Sequence, residues 1–217
     1  MGQKINPTGF RIGSFLPWKS RWFANNSHYK DYLLEDIKIR RALMDKFMLA
    51  GINNVEIERL PNSMVVILQV SRPGVVIGRG GSGIEEVKKI ILKIIKQYRK
   101  EGVDDIKIEP KVVEIKNSEL SAQLVATRIV AELERRFPHR RVVNRSMERV
   151  MQSGALGIKV VLSGRIGGAD ISRVEKYHLG SVPAQTLREI IDYAQVPALL
   201  KKGYVGVKVY IHKKPEE

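Results

Sequence analysis

The stretch Val75-Val76-Ile77-Gly78-Arg79-Gly80-Gly81-Ser82-Gly83-Ile84 decides the fold, because it fits two patterns with different consequences. Taken from Gly78 it is G-x-G-x-x-G, a turn that brings a dinucleotide pyrophosphate onto a helix N-terminus, and Asp104 follows about twenty places on, where such a site carries its acid. That turn needs a long buried strand running straight into the first glycine. Pro73-Gly74 interrupts the chain just before Val75, and proline is excluded from a central strand. Taken from Ile77 the same residues are Ile-Gly-x-x-Gly-x-x-Ile, with Ile77 and Ile84 bracketing Gly78 and Gly81.

The flanking sequence separates the two patterns. After the loop, Ile84, Val87, Ile91, Ile94 and Tyr98 recur at helical spacing, and Ser82 with Glu85 has the spacing of a capping box. Lys89, Lys93, Lys96 and Lys100 form a solvated side of that helix. A strand over 105–109 follows, and Pro110 marks a domain boundary. Before the loop, strands over 55–60 and 64–70 flank the turn Pro61-Asn62-Ser63. A helix over 29–50 precedes them, with Leu33, Ile37, Leu43 or Met44 and Phe47 as its apolar positions and Gly51 as its stop. A doubly wound sheet would alternate strand and helix, and this order does not.

Helix, strand, strand, short helix, glycine loop, helix, strand resembles the type II KH module. In that module the glycines let the backbone come close to four nucleotides of a single strand, because a Cβ there would push the sugar–phosphate away. The resemblance implies Gly78, Arg79, Gly80 and Gly81 as RNA-binding residues, with Arg79 the side chain able to meet a phosphate. A purely structural tight turn remains the other use of these glycines.

The second half begins with an alternating run at Val113 and Ile115 and continues into two helices separated by Pro138. The first, over 118–137, carries Ala122, Ala126, Ile129, Leu133 and Phe137 on one face; the second covers 140–153. Strand patterns follow over 158–162, 169–177, 185–193 and 205–211. The expected class is α+β in two domains, an N-terminal type II KH domain and a C-terminal α/β sandwich-like domain with a mixed sheet. The expected boundaries are an extended N-terminal arm over 1–16, the KH domain over 17–110, the second domain over 111–212 and a short tail over 213–217.

The chain has 217 residues, 38 basic against 23 acidic side chains, a pI near 10.0 and no cysteine. A hydrophobic content of 43% supports folded cores. Without cysteine there is no disulfide, iron–sulfur or thiolate zinc site, and His28, His139, His178 and His212 lack metal-pair spacing. The longest uncharged run, 60–71, is far short of the ~18–20 apolar residues of a membrane span, and the N-terminus has no signal-peptide core. The net charge of +15 points to a polyanionic partner. It is uneven: residues 42–110 carry 11 basic and 9 acidic side chains, whereas residues 111–217 carry 19 and 11.

The densest positive segment holds Arg135, Arg136, Arg140, Arg141, Arg145 and Arg149 against one acid, Glu148. At 100° per residue, Val143, Met147, Val150 and Met151 fall on one side of the helix and Arg141, Arg145 and Arg149 form an i, i+4, i+8 row opposite. That row spans ~12 Å, and guanidinium forks match phosphate oxygens bidentately. Pairing with Glu132, Glu134 and Glu148 is the alternative, but three acids cannot neutralise six arginines.

Several segments together resemble one family, the bacterial-type third small-subunit ribosomal protein. They are the opening residues from Gly2-Gln3-Lys4-Ile5-Asn6-Pro7 to Gly13, Trp22-Phe23-Ala24, the KH loop, and Ser163-Gly164-Arg165-Ile166-Gly167-Gly168-Ala169. Gly180-Ser181-Val182-Pro183, Thr186-Leu187 and the closing 203–209 complete the set. The resemblance implies a non-enzymatic, cofactor-free component of the small-subunit head, cytoplasmic with an organellar origin left open, that binds small-subunit rRNA and lines the mRNA entry channel. Its implied protein neighbours are the tenth and fourteenth small-subunit proteins.

Carried over by position, Arg135, Arg136, Arg140 and Arg141 would face the channel and take part in unwinding messenger. Where the family often has a lysine, this sequence has Asn144, with Arg145 beside it. Lys4 and Arg11 of the arm and Arg165 of the C-terminal loop complete the expected RNA contacts. A free KH regulator binding single-stranded RNA is the alternative function. The Walker-type phosphate-binding loop is missing, since Ile84-Glu85 follow Gly83 where that loop needs Lys-Ser/Thr.

Overall fold

A computed structural model describes residues 4–60, 62–98 and 106–214. Pro61, Lys100, Asp104, Asp105, Gly2, Gln3 and the end of the expected tail lie outside the described residues. The chain forms two compact units, Trp18–Lys116, and Asn117–Glu217 joined by Met1–Pro17.

The arm expected to be extended carries a short helix, α1 (Pro7–Arg11). Asn6 caps it by accepting hydrogen bonds from the Thr8 and Gly9 amides, and Pro7 supplies the fixed φ of a first helical residue. This segment belongs to the second unit.

In the first unit, β1 (Ser20–Arg21), α2 (Asn26–Lys46), β2 (Ile52–Leu60), β3 (Ser63–Val70), α3 (Pro73–Ile77), α4 (Ser82–Tyr98) and β4 (Lys107–Glu114) follow one another. The sheet order is β1-β2-β3-β4, with β2 and β3 an antiparallel hairpin and both outer pairings parallel. Alternation in β3 sends Met64, Val66, Leu68 and Val70 into a core closed by Ile39 and Leu43 of α2 and by Val87, Ile91 and Ile95 of α4. Pro110 is no boundary: it lies inside β4 opposite Val66, on an edge strand, where a missing N–H is tolerated.

The buried face of α2 differs from the one its apolar spacing predicts. Leu33 and Ile37 are exposed, while Glu35 and Asp36 are fully buried beside Ile39 and Leu43. Arg59, on the core-facing side of β2, meets both carboxylates. Asp36 also accepts hydrogen bonds from Ser20 Oγ and Trp22 Nε1, each at 2.8 Å. This tertiary ion pairing overrides the apolar periodicity.

In the second unit, α5 (Ala122–Glu134) and α6 (His139–Gln152) pack on a sheet of β5 (Gly157–Gly164), β6 (Arg173–Gly180), β7 (Ile191–Leu200) and β8 (Gly203–His212), in the order β6-β5-β8-β7. Every pairing in it is antiparallel, so the mixed pairing resides in the first sheet. Strands β6 and β7 start later than the apolar runs at 169 and 185 suggest, because residues 166–168 form a helical turn and 181–190 a loop.

Candidate nucleic-acid interface

The glycine loop separates into two jobs. A Cβ on Gly83 would lie 2.1 Å from the Val76 carbonyl oxygen, and one on Gly78 2.9 Å from the Gly83 nitrogen, so these two glycines let α3 and α4 approach. Gly80 (φ 62°) and Gly81 (φ 83°) meet nothing within 4 Å and serve the exposed left-handed turn that presents Arg79. Ser82 is already right-handed helical (φ −55°, ψ −35°), so the expected capping box does not form and the turn runs directly into α4. A short helix, not a strand, enters the loop, which removes the dinucleotide pattern.

The arginine segment forms the corner between α5 and α6. The Phe137 amide donates to the Glu132 carbonyl and the Arg136 amide to the Leu133 carbonyl, the paired bonds that close a helix with one left-handed residue. That residue is Arg136 at φ 64°, the one non-glycine with positive φ among the described residues. Arg135, Arg136, Arg140, Arg141 and Arg145 are exposed, and Arg149 is half-buried in the last turn of α6, where a cation suits the helix dipole. None of the six pairs with a carboxylate among the described residues.

Glu134 instead accepts the Leu199 amide at 3.0 Å. Asn144 is exposed between Arg141 and Arg145. Phe137, expected on the buried face of α5, is 53% exposed because the chain has turned left-handed before it. It borders a cavity of about 530 Å³ lined also by Arg136, His139, Gly167, Gly168 and Lys202.

Behind the first turn of α6 stands Glu175 of β6. Its carboxyl is held below the usual range, first by the hydroxyl of Tyr177 donating to it, and further by His139, Arg173 and Arg140. Arg173 Nε lies 2.8 Å away and His139 Nε2 3.1 Å away.

One expected RNA contact is built into the fold instead, and a second is engaged within its own loop while still partly exposed. Arg11 is fully buried, its Nε donating to the Glu189 carbonyl at 2.8 Å, Nη1 to Pro7 at 3.0 Å, and Nη2 to Thr186 at 2.7 Å and Ala184 at 3.1 Å. Burial pushes its pKa down, and donors turned onto carbonyls cannot reach a phosphate. Arg165 donates to the Ala169 carbonyl (2.9 Å), the Lys202 carbonyl (3.3 Å) and Asp170 Oδ1 (3.1 Å), tying its own loop to the β7–β8 turn. Lys4 is exposed, beside a cavity of about 360 Å³ that Lys159 and Tyr210 also line. Sequence reasoning passed over those last two residues, although strict alternation through 203–212 already placed Lys208 and Tyr210 on one face.

A family model described as "KH domain" matches residues 38–120, and one described as "Ribosomal protein S3, C-terminal domain" matches residues 129–211. The small ribosomal subunit protein uS3 of Caldicellulosiruptor saccharolyticus is 48% identical over 98% of this chain and 92% of its own length. Those of Finegoldia magna (46%; 98% and 84%) and Clostridium novyi (42%; 98% and 93%) are similar over the same extent. The chain belongs to the uS3 family. The type II KH order of the first unit and the helix-backed sheet of the second are thus the two domains of that family. Among the described residues no helix is long and apolar enough to cross a membrane, and no cluster of His, Cys, Asp or Glu is suited to a metal.

Proposed function

We propose that this chain is a non-catalytic constituent of the small ribosomal subunit head that binds small-subunit rRNA and uses the α5–α6 corner to hold single-stranded mRNA at its entry. Arg135, Arg136, Arg140, Arg141 and Arg145 supply the fixed positive charge, and exposed Phe137 offers an aromatic face beside them. Side chains that grip single-stranded phosphates favour the melted state over the duplex, and the translocating ribosome supplies the free energy of unwinding. Arg79, Gly80 and Gly81 form a second contact with rRNA, and the neighbouring head proteins are the tenth and fourteenth of the subunit.

The observation that carries this reading is that none of these arginines forms an ion pair with a carboxylate among the described residues, and that three of them, Arg136, Arg140 and Arg141, are held where local stability opposes them. Arg136 occupies a left-handed position, which costs an L-residue ~1–2 kcal/mol. Arg140 and Arg141 sit in the first turn of α6, at the positive end of its dipole, with no side chain capping that end. Exposed side chains kept in such places serve something outside the fold.

The test is the salt dependence of binding to an oligoribonucleotide. Arg140→Ala with Arg141→Ala should lower affinity and flatten the slope of log K against log salt by ~0.7 per lost phosphate contact. An unchanged slope sinks the reading. Co-sedimentation with small subunits at high salt separates a ribosomal component from a free regulator of messengers.

A further inference from the structure

Helices α5 and α6 back one face of the second unit's sheet, and the N-terminal arm with α1 reaches over part of the other. Ile158, Val160, Leu162, Val205, Val207, Val209 and Ile211 point into the core under α5 and α6. The opposite face carries Lys159 and Val161 from β5, Lys176 and His178 from β6, Tyr193 and Gln195 from β7, and Lys208 and Tyr210 from β8. The register makes this a compact array. Lys159 is opposite both His178 and Tyr210, Tyr210 is opposite Tyr193, and Val161 is flanked by Lys176 and Lys208.

None of the strand positions on this face holds an acid. Glu189 in the adjoining 181–190 loop is engaged by His212 Nε2 at 2.8 Å. Glu175 and Asp192 face the helices, the latter accepting the Ala122 amide at 3.1 Å. Lys4 joins the lysines from the N-terminal arm, across the cavity of about 360 Å³ that the arm and residues 182–186 wall off over Lys159 and Tyr210. That volume falls within the ~300–1,000 Å³ of small-molecule sites.

Ammonium groups gathered with no carboxylate among the strand positions of their face repel one another. Lys159 registers this: its pKa is lowered, first by burial and then by Lys4 and Lys176. Its Nζ lies 5.8 Å from the centre of the Tyr210 ring, which stacks at a tilt on Tyr193 with centroids 4.8 Å apart. Lysines beside aromatic faces suit an anion that carries rings.

We infer that the sheet face opposite α5 and α6, around Lys4, Lys159, Lys176, Lys208 and Tyr210, is a second RNA site, which binds a single-stranded segment with a phosphate between Lys4 and Lys159 and a base against Tyr210. It lies on the opposite face of the sheet from the α5–α6 corner and rests on the reading of the chain as an RNA-binding protein. Single-stranded RNA is the occupant because only unstacked bases offer their faces to a tyrosine, and only a polyanion relieves so many lysines at once. A protein partner would have to bring a matching cluster of carboxylates, and a second copy of this +15 chain would add to the repulsion.

The experiment measures fluorescence anisotropy of a labelled oligouridylate of about a dozen nucleotides against the full chain over a range of salt. The proteins are wild type, Lys159→Gln with Lys176→Gln, Tyr210→Leu, and Arg140→Gln with Arg141→Gln, each checked for an unchanged thermal midpoint. The lysine pair should reduce the salt slope by ~0.7–1.4. Tyr210→Leu should weaken binding about fivefold or more with its slope unchanged, since stacking carries no counterion release. If both sheet variants bind as wild type while the arginine pair loses slope, the sheet face is not an RNA site and the general reading stands. If wild type does not bind at all, both fall. A sheet variant that changes self-association in sedimentation, with RNA binding intact, assigns the face to a second copy and overturns the inference.

Discussion

His139, the first residue of α6, places Nε2 3.1 Å from Oε2 of Glu175 on β6. This carboxylate is the counterweight to a helix that begins with His139, Arg140 and Arg141 at its positive end. Arg140 feels Glu175, whereas Arg141 is exposed and has no carboxylate partner. Arg141→Ala should therefore raise stability, by ~0.3–1 kcal/mol, while weakening RNA binding. Urea denaturation checks the first part; a loss of stability would show that the dipole argument does not govern this end.

The same carboxylate sets a pH dependence. An unfolded Glu titrates at ~4.3, and the folded Glu175 lies lower, chiefly because Tyr177 donates to it. A depressed carboxyl contributes stability that is full above the unfolded value and is lost as pH falls through the folded one. Tyr177→Phe should thus lower the thermal midpoint at neutral pH, and the gap to wild type should close as the solution is acidified below ~4. A gap that widens in acid contradicts the assignment.

Arg136 offers a test that moves stability and binding in opposite directions. Glycine adopts the left-handed position without the Cβ conflict, so Arg136→Gly should stabilise the protein by about 1 kcal/mol. If Arg136 holds a phosphate, the same variant should flatten the salt slope of RNA binding by ~0.7. A stabilised protein with an unchanged slope would separate the backbone argument from the functional one.

What the sequence disclosed follows from the range of the interactions. The KH order, the hairpin, α4 and the two faces of α6 are set by local periodicity and turn chemistry, and they stand where the pattern puts them. The role of Arg11 is not local: its acceptors lie 172 or more positions away in the 181–190 loop, apart from Pro7. Nothing near an exposed-looking basic residue in an N-terminal arm announces such a cage. Phe137 was misplaced for a subtler reason, since helical periodicity assumes the helix continues, and here an arginine turns left-handed one residue earlier. Alternation along β5 and β8 puts Lys159, Lys208 and Tyr210 opposite the apolar positions, but only strand pairing brings Lys159, Lys176 and Lys208 together.

The α2 face leads to the remaining prediction. Arg59 (6% exposed) pairs with Glu35 and Asp36 (both 0%), and Arg40 completes a network of two cations and two anions by donating to Ser20 Oγ at 2.6 Å and the Val55 carbonyl at 3.2 Å. Burial lowers the Arg40 pKa and Asp36 opposes that shift, which places the two charges in one field. Breaking a buried pair by removing one partner leaves an uncompensated charge, at ~3–5 kcal/mol, whereas replacing both with apolar groups removes the desolvation cost as well. Arg59→Met should therefore cost ~3–5 kcal/mol in urea denaturation. Arg59→Met combined with Asp36→Leu should cost clearly less than the sum of the two single changes, a coupling of the ~0.5–3 kcal/mol seen between contacting residues. Additive losses would mean that Asp36 is held mainly by Ser20 and Trp22, and that the pair with Arg59 contributes little to the seating of α2.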